Sequence, residues 1–248
     1  MLQRSLEMLA EERGDSLPTD LSRADMERRF RALCNVRAPK PVSEEFLTLQ
    51  DAYLQGQTQK RGVIPMKDLN FDGGIALWQG DITRLACDAI VNAGNAALLG
   101  CFHPLHNCID NVIHSNAGVQ LRRDCDRAMA GGELPNGQVL HTEAYNLPSR
   151  FVFHTVGPIV RNGRPTEQDI RQLQDCYRNS LDLAAELGLE TLAFCCISTG
   201  VYGYPQADAA ALAVSTVRAW LDVHTGPRVI FDVFLQDDQR LYEHALSR

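Results

Sequence analysis

The chain has no hydrophobic run of about 18 residues, so no membrane-spanning helix is expected. It does not open with a basic segment followed by a short apolar stretch, so no secretory leader is expected either. Basic residues are not in excess. With 24 Lys and Arg against 31 Asp and Glu, the formal charge is −7, which argues against a nucleic-acid binder working by phosphate neutralisation. The pair Arg122-Arg123 reads as a solvated helix face. Paired Cys-x-x-Cys motifs, internal repeats and low-complexity segments are all missing. Of the eight cysteines, several sit beside histidines or inside apolar runs, as thiols or metal ligands do in a reducing compartment, and they do not suggest a disulfide framework. A cytoplasmic enzyme is the class these absences leave.

Hydrophobic side chains make up 45% of the 248 residues, enough to bury one sizeable core. The pattern divides near Asp68, giving an N-terminal helical extension over 1–67 and a main domain over 68–248. In the extension, Leu2, Leu6 and Leu9, then Met26, Phe30 and Leu33, then Phe46, Leu49 and Tyr53 recur at helical intervals. Pro18 and the Pro39–Pro41 stretch punctuate them. Ser43 is placed to cap the third helix, ahead of two acids that suit its positive end. These helices are expected to dock on the main domain and chiefly stabilise it, although a lid or partner-binding role would leave the same pattern.

Beyond Asp68, β-like runs at 75–78, 89–91, 139–142, 151–153, 191–197 and 229–235 alternate with helical stretches near 107–129, 167–187, 205–223 and 239–246. This alternation predicts an α/β layered domain. Thr166 and Asp169 form a capping-box pattern, Gly188 a helix stop and Pro205 a first helical residue.

Two loops carry the chemistry. The first, Gly100-Cys-Phe-His-Pro-Leu-His-Asn-Cys-Ile-Asp110, follows the polar turn Asn92-Ala-Gly-Asn95 and holds Cys101, His106 and Cys108 within eight residues. Two thiolates and one imidazole suit Zn2+ and would leave a fourth tetrahedral position open, as in a catalytic site. His103 is the rival imidazole. The plain alternative is two cysteines packed as small hydrophobes beside capping histidines. The second loop, Ile197-Ser-Thr-Gly-Val-Tyr-Gly-Tyr-Pro205, joins a buried run to a helix, so its N–H groups and the positive helix end can converge on an anion such as a diphosphate. Gly200 and Gly203 would permit close approach, with Tyr202 and Tyr204 as walls. An ordinary strand-to-helix turn is the alternative.

Taken with their surroundings, the loops resemble the macrodomain family of ADP-ribose-recognising modules. The matching residues are Gly80-Asp-Ile-Thr83, Ala89-Ile-Val-Asn-Ala93 with Asn95, His114 with Ala117-Gly118, His154-Thr-Val-Gly-Pro158, and Ser198-Thr-Gly-Val-Tyr-Gly-Tyr-Pro205. Where hydrolase-type macrodomains carry a glycine-rich stretch after the asparagine turn, this chain carries Cys101 to Cys108. That departure resembles the zinc-dependent class, which has an N-terminal helical extension and removes mono-ADP-ribose from proteins.

The resemblance implies a three-layer α/β/α macrodomain with a mixed central sheet, and a cleft between the 92–110 and 198–204 loops. It assigns Asp81 to the adenine amino group, with Ile82 beside it through its backbone. Asn92 and Asn95 fall to the distal ribose. Ser198, Thr199, Gly200, Val201, Tyr202 and Tyr204 fall to the diphosphate, and Asp110, four residues before His114, is the candidate base or water-orienting group. Asn95 is counted with Asp110 as catalytic. The expected substrate is a mono-ADP-ribosylated protein, with a lipoylated carrier protein modified by a sirtuin-type transferase as the class suggests. Two other readings share these residues. One is a non-catalytic ADP-ribose reader with structural zinc, and the other a hydrolase of small ADP-ribose esters.

Overall fold

The computed structural model describes residues 1–248. Three helices open the chain: α1 (Leu2–Arg13), α2 (Arg23–Val36) and α3 (Glu44–Arg61). Each starts or stops on a local signal. Ser22 and Ser43 cap α2 and α3 by accepting from the N–H three residues on, and Gly14 ends α1 in the left-handed conformation. The helices share a small core of Leu2, Leu6, Leu9, Phe30, Phe46 and Leu54, closed by Val119 from the main domain. A cluster this small is marginal without that neighbour.

The strands are β1 (Ile64–Pro65), β2 (Ile75–Gln79), β3 (Leu85–Ala86), β4 (Ala89–Ala93), β5 (Val139–Glu143), β6 (Phe151–Thr155), β7 (Thr191–Phe194) and β8 (Arg228–Val233). Six of them form one sheet in the order β2-β8-β7-β4-β6-β5, parallel throughout except for the antiparallel β5–β6 pair. Strands β4 and β7 are almost wholly buried, which explains their unbroken apolar runs. The pair β1–β3, invisible in the sequence pattern, is a two-residue parallel bridge.

The remaining helices flank the sheet: α4 (Ile109–Ala117) with α5 (Val119–Met129), and α6 (Glu167–Glu186), α7 (Gln206–Leu221) and α8 (Gln236–Leu246) packed in succession. The Thr166–Asp169 capping box forms as expected. Ala209, Ala210 and Ala213 lie buried on α7, where small side chains allow close approach. Two boundaries differ from the periodicity. The helix expected over 107–129 is two helices, because Gly118 turns the chain at φ 103° and a Cβ there would meet the Gln120 and Gln50 side chains at 2.7 Å. The run 191–197 leaves the sheet after Phe194, so Cys195 to Ile197 belong to the following loop.

In an open parallel sheet, ligands sit outside the carboxyl ends of the strands, where strand order reverses. Here that place is between β4 and β7, whose chain connections run to opposite edges.

Candidate functional site

Both loops that carry the chemistry, and the matching segments after β2 and β6, lie at the carboxyl edge of the sheet. Along it run Asp81 and Ile82 after β2, Phe234 after β8, Ser198 to Tyr204 after β7, Gly94 and Asn95 after β4, and Gly157 after β6. Two cavities open there. One of about 980 Å³ is lined by Asn95, Cys101, Cys108, Asp110, Ser198 and Tyr202, among others. The other, of about 760 Å³, lies towards β2 and β8 and takes in Asp81, Ile82, Asp232 and Phe234 together with Arg31 and Arg61 of the extension. Leu105, Asn107 and Ile109 border both, so the two form one continuous cleft.

The Cys/His loop is held in an unusual shape. Leu98, Phe102 and Leu105 all have positive φ, a conformation that costs free energy for such residues and persists only where the surroundings enforce it. Arg122 does much of the enforcing. Its guanidinium lies 4.5 Å over the Phe102 ring and donates to the carbonyls of Cys34, Asn35 and Arg37. A Cβ on Gly100 would come within 2.9 Å of it. The result is that one ligand atom each from Cys101, His106 and Cys108 lie within 4.8 Å of one another. His103 is not part of that cluster; its exposed ring stands 5.9 Å from that of His106. Two thiolates and an imidazole at this spacing fit one soft divalent ion. Burial raises the Cys108 thiol above its ordinary value, so a metal entering here must displace a proton.

Cys108 also caps α4, its sulfur accepting from Asn111 N–H, and so brings Asp110 into the first turn. Asp110 is buried. Its Oδ1 accepts from Asn92 Nδ2 at 2.8 Å, and His114 Nε2 stands 3.5 Å from the same oxygen, too far for a good bond. Burial holds His114 neutral, at about 3, and raises the Asp110 carboxyl above the usual range. Asp110 lines the cleft, and its Oδ2 accepts no bond from the protein.

Asn92 itself does not line the cleft. It is fully buried beneath Asp110, with Nδ2 also 3.2 Å from Nδ1 of its cross-strand neighbour His154. Because that amide donates, His154 Nδ1 accepts, and its Nε2–H points to Thr142 Oγ1 at 3.0 Å. The expected ribose contact of Asn92 is thus replaced by support of Asp110. Asn95 does line the cleft, with its Nδ2 spent on the Gly100 carbonyl.

In the second loop, the N–H groups from Ser198 to Tyr202 have no backbone acceptor, whereas those of Gly203 and Tyr204 close the turn on Gly200 and Ser198. Five free amides ahead of a helix make an anion cradle. Conformational freedom is needed elsewhere than expected. Ser198 and Gly203 have positive φ, whereas Gly200 does not and has nothing within 4 Å of a Cβ. Gly157 is the close approach, since a Cβ there would come within 2.0 Å of Ser198 Oγ. Val201 and Tyr202 line the cleft. Thr199 and Tyr204 do not: Thr199 Oγ1 turns back to the Cys196 carbonyl, and Tyr204 is buried in the main core.

At the far end, Asp81 caps its own turn. Oδ1 accepts from the N–H and hydroxyl of Thr83, and Oδ2 from Arg61 at 2.9 Å. Oδ1 is thereby filled, whereas Oδ2 keeps a second lone pair for a further donor. Sequence reasoning missed Asp232, whose buried Oδ1 has no partner and whose carboxyl burial pushes well above the usual range. A charge inside the apolar run Val229–Val233 was the available signal. It also missed Arg31 and Arg61, which nothing but the docking of the extension brings to the cleft.

Comparison with known proteins agrees with this fold. Residues 91–213 match the Macro domain family. A "Protein-ADP-ribose hydrolase" of Treponema medium is 45% identical over 226 residues, covering 88% of this chain and 86% of the relative. One of Staphylococcus aureus strain Mu50 is 43% identical over 240 residues, covering 95% and 90%. Among solved structures, a Trypanosoma brucei macrodomain in complex with ADP-ribose superposes with TM-score 0.68 at 30% identity, covering 92% of this chain and 97% of that one. The Oceanobacillus iheyensis macrodomain with ADP gives 0.65 at 37% identity, covering 70% and 90%. With relatives this similar over nearly the full length of both chains, the protein belongs to the macrodomain family.

Proposed function

We propose that this protein is a zinc-dependent hydrolase that removes mono-ADP-ribose from modified protein side chains. The observation that carries the reading is the convergence, on one cleft, of the Cys101–His106–Cys108 cluster, the Asp110 carboxyl and the free amides of Ser198 to Tyr202. Relatives named protein-ADP-ribose hydrolase at 43–45% identity support hydrolysis, and the metal cluster supports zinc.

The reaction breaks the bond between C1 of the distal ribose and a side-chain atom of the target. Its transition state is oxocarbenium-like, so the site must orient water and stabilise developing charge. The adenine end lies against Asp81, Ile82 and Phe234. The diphosphate is held by the 198–202 amides, which places the distal ribose near Asn95 and Asp110. Asp110, raised by burial and oriented by Asn92, accepts a proton from water or holds that water in line. Cys101, His106 and Cys108 would hold the zinc, which when bound supplies Lewis-acid polarisation of an oxygen at the distal-ribose end. The family resemblance adds a lipoylated carrier protein as the substrate to try first.

The test is elemental analysis of purified protein together with release of ADP-ribose from a mono-ADP-ribosylated protein. About one zinc per chain with turnover is expected. Tight ADP-ribose binding without turnover would replace this reading with that of a reader, and turnover confined to small ADP-ribose esters would replace the substrate.

A further inference from the structure

Asn111 is buried in the first turn of α4 and contacts both sulfurs of the cluster. Its Nδ2 donates to Cys101 Sγ at 3.4 Å and to the His103 carbonyl at 3.0 Å, and its backbone N–H donates to Cys108 Sγ at 3.4 Å. The opposite end of the amide is fixed by the extension. Arg31 Nη2, from α2, donates to Asn111 Oδ1 at 3.1 Å and to the His106 carbonyl at 2.8 Å. Ser115 Oγ lies 3.2 Å from the same Oδ1. A guanidinium has donors only, so it accepts no other orientation of the carboxamide: the oxygen must face Arg31, and the NH₂ must face Cys101. Asn35, one turn further along α2, accepts from Leu105 N–H at 2.9 Å and anchors the same loop.

We infer that Asn111 and Arg31 are positioning residues of the metal centre: Arg31 sets the Asn111 amide, and Asn111 holds the Cys101 and Cys108 sulfurs as ligands. The inference rests on the Cys101–His106–Cys108 cluster being a metal site. N–H···S bonds fix the direction of each sulfur, the work that outer-shell partners do in metal sites. The extension thereby reaches the metal through two hydrogen-bonded steps, Arg31 to Asn111 to sulfur. A purely structural Asn111 would tie the loop to α4 and leave the electronic surroundings of the sulfurs unaffected.

The test uses the full chain, loaded with zinc for affinity by chelator competition and with cobalt for the sulfur-to-metal charge-transfer band. Asn111→Ala is expected to weaken zinc by about 10–100-fold and to shift that band. Arg31→Met should shift the band in the same direction with a smaller loss, and Arg31→Lys should recover part of it by still donating to the His106 carbonyl. In an Asn111→Ala background, Arg31→Met should cost less than it does alone, because the two act in series. Wild-type affinity and an unshifted band in both single variants would overturn the inference, even if their melting temperatures fell. If Asn111→Ala does not fold, the half-buried Arg31 variants carry the test. A wild-type protein that binds neither zinc nor cobalt would instead remove the metal reading beneath it.

Discussion

Asn92, at the end of β4, donates a 2.8 Å hydrogen bond to Asp110 in the first turn of α4, so strand and helix fix one carboxyl group between them. Both residues are buried, and Asp110 lines the cleft with its second carboxyl oxygen unpartnered in the protein. Asp110→Ala should therefore keep metal and ADP-ribose binding while lowering the hydrolysis rate by roughly the 10²–10⁴-fold typical of a lost acid–base group. Single-turnover kinetics on a modified protein measure it. An unchanged rate would remove Asp110 from the chemistry.

Cys108→Ala should lose metal and turnover together, because two remaining ligands on a short loop bind zinc poorly. His106→Ala should behave alike, whereas His103→Ala should retain both, its ring lying outside the cluster. Metal content and hydrolysis on the three variants decide this. Metal loss in His103→Ala alone would make His103 the ligand in place of His106.

Gly200→Glu should abolish ADP-ribose binding. The position is open and its φ is not positive, so the variant folds, but its carboxylate would stand beside the diphosphate. Calorimetry with ADP-ribose reads the effect, and unchanged affinity would take the loop out of the binding site. Gly157→Ala should damage the same loop differently, by driving a methyl group into Ser198 Oγ.

Gln50 of α3 accepts from Val119 N–H at 3.0 Å and donates to Gln120 at 2.7 Å, both buried bonds. Gln50→Ala strands the Val119 donor and should cost about 1–3 kcal/mol. At about 2–4 °C per kcal/mol for a chain of this size, melting falls by several degrees. A chain starting at Asp68 should melt lower still, having also lost the carbonyl acceptors of the buried Arg122. A truncated protein as stable as the full chain would reduce the extension to an accessory.

Burial depresses His114 and His154 to about 3, against an ordinary value of 6.5. Between those values the unfolded chain takes up protons that the folded one refuses, so these groups make stability fall as pH drops below about 6.5. Asp110 and Asp232, raised by burial, act in the opposite sense over part of that interval. His154→Gln should accordingly flatten the loss of melting temperature between pH 6.5 and 5. An identical slope would show that the acid sensitivity arises elsewhere.

The sequence revealed what is local. Cys101, His106 and Cys108 lie so close along the chain that their convergence needs one loop and no tertiary information, and the diphosphate loop is likewise continuous. What it concealed depends on packing between distant segments. The resemblance assigned Asn92 and Tyr204 to the cleft, yet strand alternation turns Asn92 beneath Asp110 and the turn after Ser198 sends Tyr204 into the core. Arg31 and Asn111 are 80 positions apart and carried no signal of a shared task. Gly118 was readable as a breaker, but its break is enforced by Gln50 from the extension.

The order of strand ends along the cleft has a metrical consequence. From β2 to β6 there are four inter-strand steps, which at about 4.8 Å each make a ruler of about 19 Å. A nucleotide lying along it is gauged for length as well as for chemistry. On the proposed function, a nucleoside diphosphate seated at the β2 and β8 end would reach the β7 amides. On the same reading, a ligand that continues past the second phosphate would reach Asp110. The spacing of the backbone would then select by length, alongside whatever the side chains select by chemistry.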